Sequence, residues 1–72
     1  MKNRKKYYVA EFVTDLFHDD ETEIFYAESE EAVEREIKET LGEHLLAVVV
    51  RKATWAERRR MKKEHYNPCI VH

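Results

Sequence analysis

Apolar residues recur along this chain with different periods, and each period predicts a different element. From Tyr7 to Phe17 the stretch YYVAEFVTDLF alternates, with Tyr8, Ala10, Phe12, Thr14 and Leu16 on one side and Glu11 and Asp15 on the other. A two-residue period in aromatic and β-branched residues predicts a strand over residues 7–17 with its even positions facing a core. Tyr7, Val9, Val13 and Phe17 fall on the outer side. That side is more apolar than a solvated face requires, so a cover from the C-terminal segment or from a partner is expected. His18, Asp19, Asp20 and Glu21 are turn-favouring and hydrophilic, and read as a hairpin connection. A second strand over 22–28 places Ile24 and Tyr26 on one face and Phe25 and Ala27 on the other.

The period then changes to that of a helix. Ala32, Val33, Ile37 and Leu41 form one apolar stripe, which predicts a helix over 30–41. Ser29 is placed to cap it, and Glu30 and Glu31 sit at the positive end of its dipole. Pairs at i,i+4 are available in Glu31–Arg35 and Glu34–Lys38, and Gly42, the single glycine, stands where a left-handed stop is wanted. Leu45 to Val50 is a continuous apolar run; a strand over 44–51 buried on both faces, central or covered, is the expectation. The order is 2-1-3 if the sheet is fully antiparallel, or 1-2-3 if the third strand runs parallel beside the second.

Residues 54–66 hold strong helix formers with Thr54 as a cap and Asn67-Pro68 as a stop. Their apolar residues make no broad stripe, so this second helix is expected to pack by Trp55 alone or to project. Ile70 and Val71 in the short apolar tail could add an edge strand or lie across the outer face. The expected fold is a single α+β domain over 1–72, ββαβα, with a mostly antiparallel three-stranded sheet, an amphipathic helix on one face and a basic C-terminal helix. The polar hairpin followed by the Ser29-Glu30-Glu31-Ala32 helix start and a short apolar strand resembles the ββαβ pattern of many small bacterial and bacteriophage proteins. That resemblance is to a supersecondary pattern and carries over no functional residue.

Composition sharpens this picture in two ways. A chain of 72 residues is near the lower limit for folding without staples, so the core is thin and a homodimer is a natural remedy. The single cysteine, Cys69, allows no internal disulfide, and no apolar run approaches the length of a membrane span. A soluble cytoplasmic protein is expected. The net charge of −2 hides a segregation. Lys2, Arg4, Lys5 and Lys6 open the chain without an acid among them; residues 11–44 carry Arg35 and Lys38 against a long series of acids; Arg51, Lys52, Arg58, Arg59, Arg60, Lys62 and Lys63 then follow with only Glu57 and Glu64.

Catalytic motifs are absent, and one glycine leaves no backbone cradle for a phosphate. Cys69 with His65 or His72 is a weak pretext for a nucleophile and base, so no enzyme activity, cofactor or catalytic residue is expected. His65, Cys69 and His72 with His18 or His44 match no zinc spacing, and no metal is expected. Binding remains. The leading expectation is a small regulatory or inhibitory protein of the bacteriophage host-interaction type, docking on a protein partner through Asp19, Asp20, Glu34, Glu39 or Trp55. The alternative is a nucleic-acid-binding module using Trp55, Arg58, Arg59, Lys62 and Lys63, with the basic N-terminus joining them and Tyr7, Tyr8 and Tyr66 available for stacking. The basic ends meet only if the first strand lies beside the third. A sequence pI near 6.1 counts against this alternative.

Overall fold

The computed structural model describes residues 4–17 and 19–71. Its centre is strand β1 (Lys6–Thr14), which pairs antiparallel with β2 (Glu21–Ala27) on one side and with β3 (Leu45–Lys52) on the other. A fourth strand, β4 (Cys69–Ile70), runs parallel to β2, so the sheet is mixed, in order β3-β1-β2-β4. The 2-1-3 order is therefore the one adopted for the first three strands, and the C-terminal tail takes the edge-strand placement, one of its two expected ones, which makes the expected three-stranded sheet four-stranded. Two residues have no periodicity to read. What fixes β4 is non-local: the Val71 amide donates to the Tyr26 carbonyl at 3.0 Å and the Val71 side chain enters the core.

The even positions of β1 do face the core: Tyr8, Ala10 and Thr14 are buried and Phe12 packs against them. The strand stops at Thr14 and not at residue 17, because the pairing with β3 slips between Val13 and Thr14. The Thr14 hydroxyl accepts the Leu16 amide at 3.2 Å while the Asp15 amide donates to the His44 carbonyl at 3.1 Å. That turns the chain away and leaves Leu16 and Phe17 exposed. The connection to β2 thus starts earlier than the expected His18–Glu21 turn, of which His18 lies outside the described residues.

Helix α1 (Glu30–Leu41) has the bounds its stripe predicts. The Ser29 hydroxyl accepts the Ala32 amide at 3.1 Å, and Gly42 ends the helix at φ 57° and ψ −130°, a positive-φ state outside the left-handed helical region that glycine adopts without the strain a Cβ would bring. Val33 and Ile37 are buried against Tyr8, Ala10, Phe25, Ala27 and Val71. A short 3-10 turn, Gly42–His44, leads into β3. Contrary to the expectation of a strand buried on both faces, β3 is an edge strand: Leu45, Val48 and Val50 pack on the core while Leu46 and Val49 are 64% and 65% exposed. An unbroken apolar run does not distinguish a central strand from an edge.

Because β3 and β4 are opposite edges, the chain between them must cross the sheet, and helix α2 (Trp55–Lys63) makes that crossing on the face away from α1. Its contacts are with outward-facing residues: Glu57 binds Arg51, and Tyr7 shares a depression with Arg58, Met61 and Tyr66. The outer apolar face is thus covered in part by the C-terminal segment, and Val9 on it is only 2% exposed. The helix packs by Met61 and not by Trp55, which is 65% exposed.

It also ends three residues before the expected Tyr66. The Tyr66 amide donates to the Met61 carbonyl at 2.9 Å and the His65 amide to that of Lys62 at 3.4 Å, a Schellman stop with His65 at φ 56° where glycine is the usual occupant. His65→Gly is expected to stabilise the protein by about 0.5–1 kcal/mol, relief of left-handed strain outweighing the added freedom of the unfolded chain. Thermal unfolding should show a rise of roughly 2–8 °C; a fall would mean that the His65 side chain contributes more than its backbone costs.

Candidate functional site

The pairing of β1 with β3 has a chemical consequence. It brings the start of β1, the end of β3 and the first turns of α2 together at one end of the sheet. There Lys5, Lys6, Lys52 and Arg58 surround Tyr7 and Tyr26 in a cleft of ≈ 390 Å³ that Ala53 completes. No acidic residue among the described residues lines it. Tyr7 and Tyr26 face each other in the hairpin register, their ring centroids 4.8 Å apart and tilted by 37°, and the Lys5 ammonium stands 6.0 Å from the Tyr26 ring. The Ala53 amide donates to the Tyr7 carbonyl at 3.0 Å, holding the β3–α2 junction against the start of β1.

Through Tyr7 and Arg58 the cleft continues into the depression lined by Met61, Lys62, His65 and Tyr66. Around the helix, Trp55, Arg59, Arg60, Lys62 and Lys63 form an open basic surface, with the Arg59 guanidinium 5.2 Å from the Trp55 ring. Of the expected nucleic-acid residues, then, Arg58 and Lys62 join the cleft and its extension, while Trp55, Arg59 and Lys63 lie on the adjoining helix surface. Lys2 lies outside the described residues. Tyr8, expected among the stacking residues, is instead a core residue at 6% exposure. Tyr26 was not among the candidates; the hairpin register that pairs it with Tyr7 is what finds it.

Cations within reach of an acid are few. Among the described residues the ion pairs are Glu34–Lys38, Asp15–His44, Arg51–Glu57 and Arg60–Glu64. None of Lys5, Lys6, Lys52, Arg58, Arg59, Lys62 and Lys63 takes part, and the available Glu31–Arg35 pair does not form. Arg51, by contrast, is withdrawn from the basic surface: both its terminal nitrogens donate to Glu57 at 2.6 Å.

Glu57 also closes a capping box, accepting the Thr54 amide at 2.8 Å while its own amide donates to the Thr54 hydroxyl at 3.1 Å. Hydrogen bonding from Arg51 and then from the Thr54 amide holds the Glu57 carboxyl down at about 2. A carboxyl whose pKa falls on folding adds stability above its unfolded value and loses it as the pH drops toward the folded one. Glu57→Gln keeps the capping-box acceptor but loses the carboxylate's pairing with Arg51, and is therefore expected to cost about 0.2–1 kcal/mol at neutral pH, a difference that shrinks below the ordinary carboxylate value of 4.5 and is largely lost near pH 2. Urea titrations of both proteins across that range would measure it; a pH-independent difference would remove the ionic contribution.

Glu11, Glu57 and Glu64 share the face of α2, and most of the other acids lie elsewhere. Helix α1 covers the opposite face of the sheet, and its outward side presents Glu31, Glu34, Arg35, Lys38 and Glu39 around a shallow hollow. Glu34 is held by Lys38 at 2.9 Å, Glu39 is exposed, and Asp19 and Asp20 are exposed in the β1–β2 connection. The expected protein-docking residues thus do not form one site, since Trp55 is on the other side of the sheet.

Tyr66 donates to the Glu23 carboxylate at 2.8 Å, and Cys69 Sγ lies 4.0 Å from the same oxygen. Burial, then the charge of Glu23, raises the Cys69 thiol above its usual range, which opposes formation of a thiolate nucleophile. His72, a conceivable base for it, is outside the described residues, and among the described residues no three His, Cys, Asp or Glu side chains converge as a metal site. No helix among them is long and apolar enough to cross a membrane. Compared with protein-family models, with curated proteins and with solved structures, the chain matches none.

Proposed function

We propose that this protein is a non-enzymatic binding module that takes a single nucleic-acid strand on its basic, aromatic face. The observation that carries this reading is the convergence of Lys5, Lys6, Lys52 and Arg58, none in an ion pair among the described residues, around the Tyr7–Tyr26 ring pair. Phosphates need cations that are not already paired, and bases need flat apolar faces beside them. The low overall pI averages over two faces. The molecule measures 33 × 31 × 16 Å, and the α1 acids lie across its short dimension. With a screening length of about 8 Å at physiological salt, they weaken the field over the cleft without cancelling it.

The experiment is a titration of a labelled single strand of mixed sequence, about 16 nucleotides long, as DNA and as RNA over a range of salt. Saturable binding that weakens steeply with salt supports the reading, and no binding at low salt overturns it. The second reading is a regulatory or inhibitory protein that docks on a protein partner. It is favoured by one observation, an indole 65% exposed at the start of α2, since such a residue is a frequent anchor in protein interfaces.

A further inference from the structure

Strand β3 is an edge eight residues long, and its apolar run Leu45–Val50 has no charge and no proline. Edge strands in proteins that remain single are blunted by such residues or by a cover, because a bare edge offers a row of unused N–H and C=O groups to any matching strand. The register shift at Val13/Thr14 leaves Leu46 without a partner on β1 and disturbs the ladder only at the start of β3, and Leu46 and Val49 stand exposed beside the open edge.

We infer that the β3 edge pairs with the β3 edge of a second copy of this chain, antiparallel about a twofold axis, to give a continuous eight-stranded sheet. The charges at the two ends of the strand select this occupant. Glu43 precedes β3 and Lys52 ends it; both are exposed, and neither takes part in an ion pair among the described residues. Antiparallel self-pairing centred near Val48 sets the acidic start of each strand against the basic end of the other, so the same patch is complementary to itself, as a twofold interface requires. A parallel approach would set like charges together. The thin core of a 72-residue chain is the reason such an association has something to add.

The twofold axis stands perpendicular to the sheet, so each face stays on its own side. Both α2 helices and both basic clefts then lie on one face of the dimer, separated by more than the length of β3, on the order of 30 Å or more once the strands between them are counted. If the nucleic-acid reading holds, one strand can engage both clefts. The dimer itself does not depend on that reading, and it is tested without nucleic acid.

Sedimentation of the full chain is expected to show a dimer at ~100 µM that dissociates toward ~1 µM, the range of a small, transient interface. The alternate β3 amides that do not bond to β1 should gain protection from hydrogen exchange as concentration rises. Val49→Lys, at an exposed position the monomer fold tolerates, is expected to weaken association about tenfold. Glu43→Lys should weaken it several-fold, and adding Lys52→Glu should restore it. A monomer up to ~1 mM, a dimer that Val49→Lys leaves unweakened, or a double exchange that fails to rescue Glu43→Lys would each overturn the proposal.

Discussion

Ile37→Ala is expected to lower the melting temperature by roughly 12–24 °C, the largest loss of stability available from a single truncation on α1. Deleting three buried carbons from a well-packed isoleucine costs about 3 kcal/mol, and a domain of about 100 residues or fewer shifts by roughly 4–8 °C per kcal/mol. Ile37 is 3% exposed and lies one turn after Val33, facing Tyr8, Ala10, Phe25, Ala27 and Val71. It also forms a wall of an apolar groove of ≈ 300 Å³ shared with Phe12, Phe25, Leu41 and Val71. Truncation would enlarge that groove toward solvent and loosen the seat of Val71, so β4 is expected to fray with α1. Against a total stability of roughly 4–10 kcal/mol for a chain of this size, the remainder is small. Calorimetry on Ile37→Ala beside Glu39→Ala, an exposed position on the same helix, separates core loss from helix propensity. A shift under about 4 °C for Ile37→Ala would mean that the core is not organised on α1.

The same helix shows where the sequence is legible and why. Ser29, the 30–41 stripe and Gly42 act within a few residues of one another, so cap, face and stop follow from local chemistry and agree with the structure to the residue. The alternation in β1 and β2 is equally local, but that Tyr7 and Tyr26 share a face follows only from the hairpin register that pairs them. Errors arise where distant segments decide. Whether Leu45–Val50 is central or an edge depends on what lies beyond it. Whether Met61 or Trp55 is the buried residue of α2 depends on which side of the helix meets Tyr7. The stop at His65 was hidden because a left-handed backbone at a histidine leaves no sign comparable to glycine. For the candidate site, the two basic ends are visible as charge runs, but their meeting depends on β1 lying beside β3. The withdrawal of Arg51 by Glu57 is not visible in charge counts, since it needs the capping box to aim the carboxylate.

Lys6→Glu combined with Arg58→Glu is expected to weaken binding of a single strand on the order of 100-fold at low salt, while leaving the fold in place. Lys6 begins β1 and Arg58 is the fourth residue of α2; both line the cleft and are exposed, and neither carries a protein ion pair among the described residues. The double exchange therefore removes attraction and adds repulsion without orphaning a buried partner. If the four cleft cations each neutralise a phosphate, the logarithm of affinity falls with the logarithm of salt at a slope of about −3 for a single strand, and losing two contacts brings it to about −1.5. The slope matters more than the affinity. A variant weakened through misfolding would lose active protein at unchanged slope, whereas loss of phosphate contacts changes the slope itself. Glu39→Lys on the acidic face is the control, expected to alter affinity by less than about threefold because the opposite face is screened. A strengthening by Glu39→Lys as large as the loss from the double exchange, or an unchanged slope for the double exchange, would place the binding surface somewhere other than the Tyr7–Tyr26 cleft. A Trp55→Ala variant that loses a protein partner while keeping the slope would then favour docking through the exposed indole.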